Sequence, residues 1–114
     1  MQDCIFCKII KREIPAEIVY ENDSVLAFKD IRPAAPIHLL LIPKKHIPTF
    51  FDIQEDDLVI MGQVQKAAAD LGRRYGLNEK GFRLVSNCNK DAGQLVFHIH
   101  YHFLAGRPLQ WPPG

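Results

Sequence analysis

Apolar and polar side chains alternate from Phe97 to Phe103, and a period of two residues is typical of a β-strand with two different faces. One face would carry three histidines and the other three strand-forming residues: His98, His100 and His102 against Ile99, Tyr101 and Phe103. Neighbouring imidazoles would stand roughly 7 Å apart, since a strand rises about 3.3 Å per residue. A helix would scatter them, because positions two apart do not share a helix face.

Two other segments have the period of amphipathic helices. The first covers residues 4–11, with Asp3 as its N-cap. The second covers residues 52–75; its first residue and Glu55 have the spacing of a capping box, and Gly76 suits the left-handed cap that closes it. Its apolar stripe comprises Leu58, Met61, Ala68, Leu71 and Tyr75.

Four more segments have the length and composition of strands, and they are residues 17–21, 25–29, 38–42 and 81–86. The third is dense in apolar residues, which favours a central position in a sheet. Residues 30–36 and 87–94 are predicted to be loops. Five strands, two helices and mostly hairpin-length links predict an α+β fold with a mainly antiparallel sheet.

The 114 residues suffice for one core but not for two, so residues 1–114 are predicted to form one domain. A net charge of +1 gives no reason to expect a nucleic acid or an acidic membrane as partner. The longest apolar run, Ile37–Ile42, is too short to span a bilayer. The N-terminus lacks the pattern of a signal peptide, and three cysteines are an odd number, so we expect a cytoplasmic protein with reduced thiols.

The residues alone leave several kinds of site open. The histidine row could bind zinc or copper, act as nucleophile and acid–base catalyst, or form a polar strand face without chemistry. Cys4 and Cys7 have the spacing of half a zinc site, but the usual second half, two histidines three to five residues apart, is absent. Two buried helix cysteines are the alternative, and Cys88 is predicted to be a loop thiol.

The segment His98–Leu104 resembles the signature of the histidine triad (HIT) superfamily of nucleotide-binding hydrolases and transferases, which is His-φ-His-φ-His-φ-φ with φ apolar. Further blocks resemble the Hint branch of this superfamily, the purine nucleoside phosphoramidases: Cys4–Ile10, Phe28–Ile31, Pro36–His46 and Trp111–Gly114. The likeness covers almost the whole chain and implies a single HIT domain.

The resemblance implies hydrolysis of purine nucleoside 5′-phosphoramidates or acyl-nucleotides, with substrates of the AMP or GMP type. By position, His100 matches the family nucleophile and His102 the residue at the phosphoryl oxygens. His38 matches the other recurring histidine, for which a core histidine is the alternative. Six positions match nucleotide contacts, to the ribose, the base and the phosphate in turn: Asp30; Ile31; Asn87, Gly93, Gln94 and Leu95. Leu95 stands where animal Hint proteins carry a serine, so a side-chain hydroxyl is missing at that position.

Cysteine-bearing members of the superfamily complete a zinc site with two histidines, and the resemblance assigns these to His46 and His98. With Cys4 and Cys7 they form a Cys₂His₂ set, which indicates a structural zinc and no catalytic metal. Two other functions stay open: a metallohydrolase with zinc on the triad histidines, and a nucleotide-binding adaptor with incidental hydrolysis.

The tail Pro108–Gly114 is proline-rich but carries the only tryptophan, a side chain favoured at interfaces. The resemblance implies a homodimer in which the two sheets join across a two-fold axis. Each tail would then lie near the phosphate site of the partner.

Overall fold

The computed structural model describes residues 3–114, so the first two residues of the predicted domain lie outside it. Its strands are β1 (Ile18–Glu21), β2 (Val25–Lys29), β3 (Ile37–Pro43), β4 (Arg83–Val85) and β5 (Tyr101–Ala105). Its helices are α1 (Ile5–Ile10), α2 (Leu58–Arg74) and the single turn α3 (Asn89–Ala92). The strands form one antiparallel sheet in the order β1-β2-β3-β5-β4, which confirms the predicted α+β class. Within residues 3–114, none of the helices combines the length and the apolar composition that a membrane span requires.

The central strand β3 separates two apolar clusters, one on each face of the sheet. Leu39 and Leu41 face α2, whereas Leu40 and Ile42 face α1, as the alternation of side chains along a strand requires. The strand is buried on both faces, which explains why its sequence is a continuous apolar run. The prediction of a central strand is therefore confirmed.

Helix α2 starts later than predicted, and of its predicted apolar stripe only Ala68 and Leu71 are fully buried. Asp52 does not cap it; its Oδ2 instead accepts hydrogen bonds from N and Oγ1 of Thr49, which closes a 3₁₀ turn over residues 50–52. Leu58 and Tyr75 are exposed, and the buried residues are Val64, Ala67, Ala68, Leu71 and Gly72. The cap at Gly76 is confirmed, with φ +70° and a bond from its N to Arg73 O at 3.0 Å.

Helix α1 begins at Ile5, and its N-cap is Cys4 rather than Asp3. The Sγ atom of Cys4 accepts a hydrogen bond from Cys7 N at 3.3 Å, so the sulfur takes the role predicted for the aspartate. This position directs the sulfur of the cap residue inward, toward the sheet.

The histidine strand is shorter than predicted, because β5 begins at Tyr101 and contains only His102 of the three histidines. The ladder between β3 and β5 reaches Tyr101, which pairs with Leu41. Strand β3 ends two residues after Leu41, at Pro43, which has no N–H group to donate. Ahead of β5, Ile99 N donates instead to Ile47 O at 2.7 Å. The predicted loop 87–94 likewise contains the helical turn α3.

Candidate active site and candidate metal centre

The chain brings its five histidines and both cysteines of the Cys4–Cys7 pair together on the α1 side of the sheet. His98 and His100 are buried, and His102 is half-buried beside them. The ring of Phe6 on α1 packs edge-on against His100, with 5.1 Å between the ring centroids. The predicted histidine row is thus a contiguous cluster, although only one of its members is in a regular strand.

His100 has one ring nitrogen bound and the other free. Its Nδ1 lies 2.8 Å from the backbone oxygen of His98, and because a carbonyl only accepts, the proton is on Nδ1. The lone pair is therefore on Nε2, where a nucleophile needs it. Burial lowers the pKa of His100 below its ordinary value, which favours this neutral form.

His38 and His102 form a hydrogen-bonded chain whose direction is set by a backbone amide. Ala34 N donates to Nδ1 of His38 at 2.9 Å, so the proton of neutral His38 is on Nε2. That Nε2–H points at Nδ1 of His102 across 2.9 Å, which leaves neutral His102 with its own proton on Nε2. His102 is thereby prepared to donate a hydrogen bond to an anionic ligand.

Asp30, His38 and His102 also lie at the mutual distances of metal ligands. Nε2 of His38 is 3.4 Å from Oδ2 of Asp30 and 2.9 Å from Nδ1 of His102. A neutral imidazole has one lone pair, however, and that of His38 is already engaged by Ala34 N. The three groups are therefore suited to a hydrogen-bonded relay and not to a metal at Nε2.

A second cluster has the composition of a tetrahedral zinc site: Cys4, Cys7, His46 and His98, whose ligand atoms all lie within 4.8 Å of one another. Nδ1 of His98 lies 3.4 Å from Sγ of Cys4, and Nδ1 of His46 lies 3.3 Å from Sγ of Cys7. His98 donates its Nε2–H to Pro43 O at 2.8 Å, which keeps the Nδ1 lone pair for a ligand. The residues fit a zinc ion.

Protonation in this cluster is shifted by burial. Burial and the neighbouring Cys4 raise the pKa of the Cys7 thiol to about 11, while burial lowers the pKa of His98 to about 4. Burial also lowers the pKa of His46, so two neutral imidazoles face a thiol that needs a positive charge nearby to ionise. A divalent cation is such a charge.

The residues expected to contact a nucleotide differ in their exposure and in the hydrogen bonds that they already make within the chain. Oδ1 of Asp30 accepts a hydrogen bond from Arg32 N at 2.8 Å, and the side chain of Ile31 is 93% exposed. Gln94 is buried, and its amide bonds to Asn89 N, Pro48 O and Val96 O. The backbone N–H of Gln94 is engaged as well, since it donates to Asn89 O at 3.0 Å.

The remaining positions lie around the loop before the triad. Gly93 has φ +82°, a conformation that favours glycine, and closes α3. Leu95 is 89% exposed, and Asn87 is partly buried between β4 and α3. Gly93 and the side chain of Leu95 are thus both accessible in the segment before the triad.

Two contacts at the site lay beyond the sequence patterns. The amide of Ala34 fixes the tautomer of His38, and Oγ of Ser86 donates to the backbone oxygen of His100 at 2.7 Å. An alanine amide has no signature in a sequence except that the position is not proline. A serine at a strand end is ordinarily a turn residue, so neither could be singled out.

The C-terminal tail lies along the edge of the sheet. Nη1 of Arg83 on the edge strand β4 donates to Gln110 O at 2.9 Å, and its guanidinium lies 5.8 Å from the ring centroid of Trp111. Trp111 is 77% exposed. The tryptophan is therefore presented outward at the sheet edge.

The comparisons with known proteins agree on one family. A model of the HIT domain matches residues 11–109. A purine nucleoside phosphoramidase of Escherichia coli is 47% identical over 95% of this chain and 91% of its own length. An uncharacterized HIT-like protein of Synechocystis is 50% identical over 99% and 98%.

Solved structures agree as well. A HIT family hydrolase from Legionella pneumophila has a TM-score of 0.95 at 52% identity, covering 98% of this chain and 100% of that one. A histidine triad protein from Clostridium difficile has a TM-score of 0.93 at 44% identity, covering 96% of each chain.

Proposed function

Since this chain belongs to the HIT domain family, we propose that it is a hydrolase of purine nucleoside 5′-phosphoramidates or acyl-nucleotides. Relatives named as a HIT family hydrolase and as a purine nucleoside phosphoramidase support hydrolysis of a nucleotide-type substrate. The observation that carries the proposal is the bond between Nδ1 of His100 and the His98 oxygen, which leaves a buried, neutral Nε2 for attack.

In the first half of the reaction, Nε2 of His100 attacks the α-phosphorus and forms an N–P bond. The P–N bond to the amine breaks, and the amine takes its proton from solvent. In the second half, water attacks the same phosphorus, the bond to His100 breaks and a proton returns to solvent. Because His102 would direct its Nε2–H at the phosphoryl oxygens, it would stabilise the charge that develops there.

The nucleotide would lie between the histidine cluster and the loop after β2. Oδ2 of Asp30, which lies 3.4 Å from Nε2 of His38, suits the ribose hydroxyls, and exposed Ile31 offers an apolar wall to a purine base. Gly93 would admit the phosphate close to the backbone, with Asn87 and Leu95 beside it.

We also propose one structural zinc ion on Cys4, Cys7, His46 and His98. When bound, zinc would supply a tetrahedral crosslink and hold both thiols as thiolates. The crosslink would join α1, the loop after β3 and the start of the triad, since these segments carry the four ligands. His98 would then serve two purposes, with its ring on the metal and its backbone oxygen on His100.

A homodimer is the assembly we propose. β4 is an edge strand, and the unpaired backbone groups of an edge could pair with a second copy across a two-fold axis. The tail leaves at the same edge, with Trp111 exposed. A cytoplasmic location stays a prediction from the sequence.

The direct test is steady-state hydrolysis of adenosine 5′-phosphoramidate by the wild type and by His100→Ala, with AMP affinity measured by calorimetry. We expect His100→Ala to lose turnover while AMP binding stays within about threefold of the wild type, because His100 contributes chemistry more than affinity. Substantial turnover by His100→Ala would reject the nucleophile, and a wild type that binds AMP without turnover would favour an adaptor. Turnover that persists after complete chelation would exclude a catalytic metal.

A further inference from the structure

The side chain of Ser86, the residue after β4, binds the backbone of His100 at a point where the regular ladder has ended. The ladder pairs of β4 and β5 are Arg83 with Leu104, Leu84 with Phe103 and Val85 with His102. Immediately after β4, Oγ of Ser86 donates to the backbone oxygen of His100 at 2.7 Å. The contact between the two segments therefore continues past the ladder and reaches the nucleophile.

This bond restrains a part of His100 that its other hydrogen bond does not reach. The bond from Nδ1 to the His98 oxygen fixes the tautomer and the rotation of the ring. The bond from Ser86 fixes the peptide plane after His100, and that plane helps to set the direction in which the side chain leaves the backbone. Ser86 is partly buried, so the bond is shielded from much of the competition with water.

We propose that Ser86 is a positioning residue for the nucleophile, an inference that rests on the proposed function. A reacting group must be held within about 0.5 Å and 10–20° of its productive geometry. A misplacement of about 1 Å lowers a rate by roughly 100-fold. Ser86 acts through the backbone of His100, so it affects the reaction step and not the affinity for nucleotide.

The test compares Ser86→Val with Ser86→Thr, because the two side chains have nearly the same shape and differ in the hydroxyl. For hydrolysis of adenosine 5′-phosphoramidate, we expect Ser86→Val to lower kcat by about tenfold with KM little changed. Ser86→Thr should keep kcat near that of the wild type. Equal thermal midpoints of the two variants would show that the difference is not one of folding.

A second measurement does not require turnover. The ring N–H resonance of His100 in ¹H–¹⁵N NMR spectra of the free protein should coincide in the wild type and Ser86→Thr. In Ser86→Val it should shift or broaden, because the ring is less firmly held.

The outcomes separate this proposal from the proposed function. Equal kcat and equal His100 resonances in Ser86→Val and Ser86→Thr would overturn the positioning role and leave the hydrolase proposal standing. A wild type without turnover, together with a resonance that changes only in Ser86→Val, would overturn the function and support the positioning role.

Discussion

Nε2 of His38 lies 2.9 Å from Nδ1 of His102, and this contact joins two neighbouring strands through their side chains. In the register of β3 and β5, His102 is opposite Leu40 and His38 is opposite Leu104, so the two histidines are diagonal neighbours on one face. A third residue determines that His38 is the donor in this contact. Ala34 N donates to Nδ1 of His38, so the proton of neutral His38 is on Nε2. A backbone amide thus determines which nitrogen of neutral His102 carries the proton.

Removing His38 should impair the reaction more than binding. We expect His38→Phe to lower kcat roughly 10- to 100-fold, because His102 loses the donor that fixes its tautomer. KM should change much less. Leu40→Met, on the same face of the same strand, is the matched control and should keep kcat within about twofold. Equal losses of kcat in the two variants would show that only packing on β3 had been disturbed.

The relay also predicts a pH dependence. Burial, and next His100 and His38, lower the pKa of His102 below its ordinary value of 6.5. Below about pH 6.5, His102 is therefore protonated in the unfolded chain but still neutral in the folded chain. The free energy of unfolding consequently decreases as the pH falls through 6.5. The free energy of unfolding should decrease between pH 7.5 and 5.5, and the decrease should be smaller in His102→Gln. An equal decrease in both proteins would contradict the assignment.

Sequence periodicity was sufficient for the sheet and less so for helix boundaries. The alternation around Leu39–Ile42 is set by burial on two faces, so it predicts β3 and its central position correctly. Asp52 and Glu55 show the spacing of a capping box, but Thr49 competes for the Asp52 carboxylate and shifts the start of α2 to Leu58. Such competition depends on backbone geometry that residue types do not reveal.

The site shows the same division. The two-residue period of the triad predicts that His100 and His102 lie side by side, and their ring centroids are 5.3 Å apart. His38 joins them through the register of β3 and β5, which the period does not show. The period does not show that β5 starts at Tyr101, since that limit comes from the end of the ladder near Pro43. The contact from Ser86 is likewise a product of register, and no single stretch of sequence contains both partners.

The proposed zinc site predicts a metal content and a stability. Protein purified without chelator should contain about one zinc per chain. A Cys4→Ser, Cys7→Ser double variant should lose the metal and unfold at a lower temperature, because the crosslink between α1 and the triad is removed. Cys88→Ser, which changes the third thiol, is the control and should match the wild type in both respects. Unchanged metal content in the double variant would contradict the assignment of Cys4 and Cys7 as zinc ligands.

The tail at the sheet edge provides the last prediction, which concerns leaving-group choice. In the proposed homodimer, Trp111 would lie near the phosphate site of the partner. Deleting residues 111–114 should therefore change the order in which phosphoramidates with different amines are hydrolysed. The affinity for AMP should change less. Arg83→Met removes the bond to Gln110 O but keeps the tail, and should have a weaker effect in the same direction. Sedimentation as a monomer at micromolar concentration, or an unaltered ranking after the deletion, would count decisively against the shared site.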